Sequence, residues 1–407
     1  MADADTASAD TAVAETAAAG YVIVGGGMVA DAAARGIRER DATGSILILS
    51  DDVDQPYTRP ALSKKLWTDD SFTTSDNDLG TAAETGAEIR LRTSVDRIDR
   101  TGRTVTTTDG ETIGYGRLLL ATGGRPKTLD LPDDDRVIYF RTAADYRNLR
   151  ELSGSGKHVA VIGGGYIGSE LAAALVQNDT AVTIVFPDPD LGASLFPERV
   201  DAKFESRFVE HGVTLRANSR LRGGTAKGDG FELVLDDGST LRADGVAVGL
   251  GIEPNTELAE KAGLAVDDGI LVDARLATDD PFVYSAGDVA SYPDPILGRR
   301  RVEHVDNAKE QGAAVGRIMA GSDEKYTHTP MYYSDVFDLG YEAVGRLDAS
   351  LETVEDWKDD DSVVVYYLEG GVPVGVLLWN VWDSTDKARQ ILAEARALTP
   401  DNLVGLI

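Results

Sequence analysis

Two glycine-rich turns constrain this 407-residue chain more than any other feature. The first stands in Tyr21-Val22-Ile23-Val24-Gly25-Gly26-Gly27-Met28-Val29-Ala30, the second in Val159-Ala160-Val161-Ile162-Gly163-Gly164-Gly165-Tyr166-Ile167-Gly168. Each follows a β-branched run and opens a helical pattern. Such a turn lets the backbone approach a pyrophosphate, and the helix behind it offers N–H donors and the positive end of its dipole. Gly25, Gly27 and Ala30 fit the G-x-G-x-x-A form; Gly163, Gly165 and Gly168 fit G-x-G-x-x-G. Taken alone, either turn is equally well explained by tight packing. Partner acids raise the reading. Asp51 and Asp188 close the second strand of each unit, where a carboxylate accepts hydrogen bonds from ribose hydroxyls. Two turns with two acids predict two dinucleotides facing each other, the arrangement in which a flavin and a nicotinamide pass a hydride.

The pattern along the chain places these turns. Residues 21–24 and 46–49 read as buried strands flanking a helix from about Val29 to Arg40, and Leu118 to Gly124 reads as a strand with a glycine stop. The plan then restarts. A strand at 158–162, a helix from Gly168 to Val176 and a strand from Ala181 to Phe186 precede Val246 to Gly251, which leads into Glu253-Pro254-Asn255. Phe282 to Asp288 reads as a strand and turn, Arg301 to Met319 as a helix. After Lys325 the character changes. Ser362 to Leu368 and Val372 to Asn380 alternate around Gly370-Gly371 as a hairpin, and Ser384 caps a helix running to about Leu398. The predicted class is α/β: two Rossmann-like dinucleotide-binding domains plus an α+β C-terminal domain. The expected boundaries are 20–146 and 275–325 for the first, 147–274 for the second and 326–407 for the third, behind a disordered acidic tail at 1–19.

Composition excludes several function classes. A net charge of −29 repels nucleic-acid phosphates and anionic lipid. No run approaches the roughly 18 apolar residues of a membrane-spanning helix. Residues 1–20 lack the basic and apolar segments of a secretory signal, so a cytoplasmic location is expected. Carboxylates are abundant and lysine is scarce (11 Lys against 29 Arg); the plain reading is solubility, the sharper one a salt-rich, halophilic cytoplasm. The chain has no cysteine, so it performs no thiol or disulfide chemistry by itself. Four histidines without ligand-like spacing predict no metal site.

Single residues refine the picture. A carboxylate at Asp188 repels a 2′-phosphate, favouring NAD(H) over NADP(H); the plainer reading is a solvated loop in an acidic protein. Asp288 follows Ala286-Gly287, usually turn chemistry; behind a second nucleotide unit it reads as a ligand to the flavin ribityl chain. Lys64 is by composition an ordinary surface lysine. Glu170, in the first turn of a helix, is accounted for by the helix dipole alone.

With these residues assembled, the chain resembles the glutathione-reductase-like superfamily of flavoproteins, and within it the apoptosis-inducing factor group beside the ferredoxin reductases of oxygenase systems. The stretches that carry the resemblance are Pro56 to Lys64, Ala121 to Gly124, Ile162 to Leu171, Gly249 to Asn255 and Leu297 to His304. In the tail, Gly340 to Gly345 and Gly375 to Asn380 are more similar to apoptosis-inducing factor than to ferredoxin reductases. The resemblance implies FAD in the outer domain and NAD(H) in the inserted one. It implies flavin-site roles for Arg59, Lys64, Ala121, Thr122, Gly123, Asp288, Glu303 and His304, a Lys64–Glu170 pair, and Tyr166 as an aromatic shield where nicotinamide enters. Glu253 to Asn255 match a nicotinamide-side loop, and Gly251 just before it is a further cofactor-binding candidate. Tyr332-Tyr333 replace an aromatic pair that contains tryptophan in animal members. The segment Val354 to Asp361 is short where those members carry a regulatory insertion, so no apoptotic or DNA-degrading role is carried over.

The expected function is an FAD-dependent NADH oxidoreductase. Its electrons leave to an acceptor that the sequence does not identify: a small iron–sulfur protein, a quinone or oxygen. Arg299-Arg300-Arg301 either docks an acidic carrier or contacts a cofactor phosphate or a neighbouring carboxylate. The competing function is a slow NADH-sensing interaction protein. A monomer and a homodimer both remain compatible with the sequence.

Overall fold

The computed structural model describes residues 19–407. The expected acidic tail, up to residue 18, lies outside the described residues. The first glycine turn leaves the centre of a largely parallel sheet. Ala19–Val24 is flanked by Ile46–Leu49 on one side and Thr112–Leu120 on the other, with Tyr21 opposite Ile46 and Val22 opposite Leu118. Val283–Ser285 pairs parallel to Thr112–Leu120. Their paired stretches Val22–Val24, Ile46–Leu49 and Leu118–Leu120 are apolar throughout because both faces are covered. Ile23, Ile48 and Leu119 face one cluster, with the helices Met28–Arg38 and Val305–Met319; Val22, Leu47 and Leu118 face another.

The second turn repeats the plan. Thr214–Arg216, Ala181–Val185, His158–Ile162, Gly245–Val248 and Val137–Tyr139 form a five-stranded parallel sheet in that order. The helix after the turn spans Tyr166–Val176, two residues longer at its start than expected. The strand Val137–Tyr139 belongs to this second sheet, ahead of the expected boundary at 147. Gly269–Leu271 already pairs with Ala290–Asp294, ahead of the expected return at 275. Between the units, Gly124–Pro126 and Ile252–Pro254 pair antiparallel, so the chain crosses in both directions along one two-stranded ribbon.

The last module is a five-stranded antiparallel sheet ordered Met331–Val336, Leu339–Gly345, Val372–Trp379, Val363–Glu369, Glu352–Trp357. One face packs on the helix Thr385–Ala393 through Val344, Val376, Leu378, Ala388 and Ile391. Its other face sets Tyr341 and Trp379 against Phe196 and Phe204 of the second unit. That helix is shorter than expected, and the Ser384 hydroxyl donates to the Trp382 carbonyl instead of capping it. The expected helix from Arg301 begins only at Val305; residues 301–304 precede it without regular structure, and Glu303 and His304 fall on a cavity wall. Among the described residues, no helix is long and apolar enough to cross a membrane.

Candidate active site between the two glycine turns

The two turns face one cavity of about 880 Å³. Gly25 and Gly163 take φ values of +114° and +110°. A Cβ at Gly25 would fall 2.1 Å from the Ala121 carbonyl oxygen, and one at Gly163 2.4 Å from that of Gly249. Conformation and space both exclude a side chain. Gly27 and Gly165 differ: a Cβ there would meet nothing within 4 Å, and both residues line the cavity. The helices begin at Met28 and Tyr166, and neither has a side-chain cap. Their first-turn N–H groups therefore point to an open cradle, the place where an anion binds. The residues present fit a dinucleotide at each turn.

Around the first turn, Ala121, Thr122, Gly123, Arg59, Asp51, Asp288, Glu303, His304 and Tyr333 all reach the cavity wall. Asp52 lines it too, but its carboxylate is occupied by the Val53 and Asp54 amides and by the Tyr57 hydroxyl. Asp51 accepts no hydrogen bond among the described residues and is the carboxylate available to ribose hydroxyls. Asp288 pairs with Arg141 at 2.7 Å. Arg59 donates to the Arg141 carbonyl and has no carboxylate partner among the described residues. Arg59 thus brings a guanidinium without a carboxylate partner beside the Arg141–Asp288 pair, a donor that suits a pyrophosphate. Thr122 and Asn255 exchange hydrogen bonds of 2.8 and 2.9 Å, which lock the ends of the two crossing segments together.

Between the turns, Lys64 Nζ meets Glu170 Oε1 at 2.6 Å, with side chains 15 % and 5 % exposed. The same ammonium lies 5.3 Å from the centre of the Tyr333 ring. Tyr166 meets Tyr332 edge to face at 5.5 Å, and His304 stacks on Tyr332 at 4.5 Å. Burial pushes the His304 imidazole down to about 4. At neutral pH it carries no charge, so within this group of Lys64, Glu170, His304 and the three tyrosines the cation is Lys64.

Some expected site residues lie off the wall. Ala30 and Gly168 sit buried under their turns; a Cβ at Gly168 would fall 1.9 Å from the Gly163 carbonyl oxygen, so its role is close packing. Asp188 is exposed on the loop after Ala181–Val185, where Pro187 reaches the cavity in its place. Glu253 is occupied by Arg125 at 3.1 Å, while Gly251 lines the cavity. The arginine cluster is used internally. Arg299 donates to the Val272 and Ser291 carbonyls, and Arg301 pairs with Asp268 and Glu303. Of the three expectations for this cluster, contact with neighbouring carboxylates is seen at Arg301 alone. Sequence reasoning missed Arg141, which carries no motif, and Ser63 and Ser334, whose hydroxyls both bond Glu170.

Comparison with known proteins is consistent with this geometry. A family model described as pyridine nucleotide-disulphide oxidoreductase matches residues 19–312, and one described as the C-terminal part of mitochondrion-associated apoptosis-inducing factor matches 315–362. The chain is 38 % identical over 344 residues to the ferredoxin–NAD(+) reductase component of the anthranilate 1,2-dioxygenase system of Burkholderia cepacia, covering 82 % of this chain and 84 % of that one. It is 31 % identical over 464 residues to a putative mitochondrial apoptosis-inducing factor 1 of Drosophila melanogaster, covering 91 % of this chain but spanning only 63 % of that relative's length. Among solved structures, the covalent putidaredoxin reductase–putidaredoxin complex matches with a TM-score of 0.86 and 29 % identity, covering 94 % of this chain and 95 % of that one.

Proposed function

This chain belongs to the pyridine nucleotide-disulphide oxidoreductase family, and we propose that it oxidises NADH with FAD and passes the electrons to a small iron–sulfur protein of the ferredoxin type. The observation that carries this reading is the shared cavity between two open glycine turns, with the Lys64–Glu170 pair between them. The family's name includes disulfide chemistry, but this chain has no cysteine to perform it.

FAD, when bound, supplies a hydride acceptor that can release its electrons singly. The chain's own residues do the rest. The turn at Gly25–Gly27, with Arg59 and Arg141, takes the pyrophosphate of one dinucleotide, and Asp51 takes its ribose. The turn at Gly163–Gly165 takes the other. Glu170 holds the Lys64 ammonium at the wall, where a positive charge stabilises the negative charge that reduction develops. His304 stays neutral and leaves that field to Lys64. Tyr166, at the first position of its helix, covers the space between the two turns.

The iron–sulfur acceptor is favoured by the relative named as a ferredoxin–NAD(+) reductase component, and a protein acceptor by the solved putidaredoxin reductase–putidaredoxin complex; both cover most of this chain's length. The second reading, a slow NADH sensor, is favoured by the C-terminal match to apoptosis-inducing factor. An acceptor panel separates them. The purified flavoprotein is reduced with NADH or NADPH in high salt and offered a ferredoxin, a quinone and oxygen. Rapid reoxidation by the ferredoxin, with NADH preferred, supports the enzyme. A persistent long-wavelength band with negligible turnover supports the sensor.

A further inference from the structure

Glu170 is where the three parts of the molecule meet. It stands on the helix Tyr166–Val176 of the second unit. Its Oε2 accepts from Ser63 of the first unit at 2.6 Å. Its Oε1 accepts from Ser334 of the C-terminal sheet at 2.7 Å, and the same oxygen takes Lys64 at 2.6 Å. Ser63, Glu170 and Ser334 are 4 %, 5 % and 2 % exposed. A buried carboxylate is stable only when its oxygens are filled by donors. Here one of the three donors comes from the module that supplies neither glycine turn.

We propose that Ser334 is a positioning residue: by sharing Glu170 Oε1 with Lys64, the C-terminal domain sets how much of the lysine's charge is felt at the redox site. The idea rests on the reading of Lys64 given above. The physical basis is competition at one oxygen. With the Ser334 hydroxyl present, part of the carboxylate's demand is met by a neutral donor. Without it, the ammonium, already in contact at 2.6 Å, faces a carboxylate oxygen whose negative charge no neutral donor offsets, so less positive field reaches the cofactor. Ser334 lies on Met331–Val336 beside Tyr332 and Tyr333, which line the same wall. A partner that shifts this strand would thereby shift the site's redox balance, although Ser334 is not itself a wall residue.

The test uses the FAD-loaded protein and compares the wild type with Ser334→Ala and Ser334→Thr by spectroelectrochemistry. In S334A the equilibrium should move against the reduced cofactor by about tenfold, which lowers the midpoint potential by about 30 mV for a two-electron couple. S334T, which restores the hydroxyl, should return the wild-type potential. KM for NADH should stay unchanged in both, because Ser334 touches no part of the nucleotide cradle. If S334A does not retain FAD, the isosteric pair S334T and Ser334→Val decides, since only the hydroxyl distinguishes them. Equal potentials in variants with and without the hydroxyl overturn the proposal. Failure of the wild type itself to be reduced by NADH would instead overturn the functional reading on which it rests.

Discussion

At Lys64 the chain spends a buried glutamate and two serine hydroxyls to hold one ammonium group in place. An unpaired lysine at this depth would lose its proton or turn to solvent. Lys64→Ala should therefore slow flavin reduction by NADH about 100–1,000-fold, the range for losing one preorganised donor; stopped-flow reduction checks this, and an unchanged rate would remove the role assigned to Lys64. His304 cannot substitute, because its folded value near 4 lies below the ordinary 6.5. The sign follows from linkage. Between about 4 and 6.5 the unfolded chain binds a proton that the folded chain refuses, so His304 lowers stability as pH falls through that window. Asp201 behaves oppositely. Burial, with Asp190 and Glu205 nearby, raises it to about 6, and it accepts the Gly192 amide at 2.8 Å. Its folded value exceeds the unfolded one, so its contribution is present at low pH and is lost as pH rises through 6. Asp201→Asn keeps an acceptor and removes the charge. It should stabilise the protein at pH 8 by about 1–2 kcal/mol, read by denaturant unfolding; a destabilised variant would contradict the argument.

The glycine turns make separable predictions at the scale of the element. Gly27 and Gly165 have open space where a Cβ would lie, so Ala at either should leave the fold within about 1 kcal/mol of wild type while filling the cradle. Gly165→Ala should raise KM for NADH at least tenfold with FAD content unchanged, and Gly27→Ala should lose FAD. Gly25→Ala has nowhere to place its methyl and should fail to fold. Thermal unfolding beside flavin content tells these cases apart. The turns, their strands and Asp51 were readable from the sequence because local rules write them: a positive φ or a close backbone approach demands glycine. Arg141 and Ser334 were not, because their partners are tertiary. Arg59 reaches Arg141 across 82 positions, and Ser334 reaches Glu170 across 164. The helix expected from Arg301 failed for a related reason. Arg301 and Glu303 favour a helix, but the site takes Glu303 and His304 into its wall.

For the whole molecule, a charge of −29 implies self-repulsion that salt screens. The melting temperature should rise between 0.1 and 3 M KCl, by several degrees for a change of about 1–2 kcal/mol; a flat or falling profile would remove the halophilic reading. The modules are joined by cores that cross their borders. Tyr341 and Trp379 of the C-terminal sheet pack with Phe196 and Phe204 of the second unit, and Glu170 ties all three together. Such packing holds the two turns at a fixed separation across one cavity, which hydride transfer between two dinucleotides requires. Anaerobic titration of the FAD-reconstituted protein with NADH tests that claim most directly. The account predicts stoichiometric bleaching of the flavin absorbance by NADH, much slower with Lys64→Ala. Failure to bind FAD, or a bound flavin that NADH does not bleach, would contradict it.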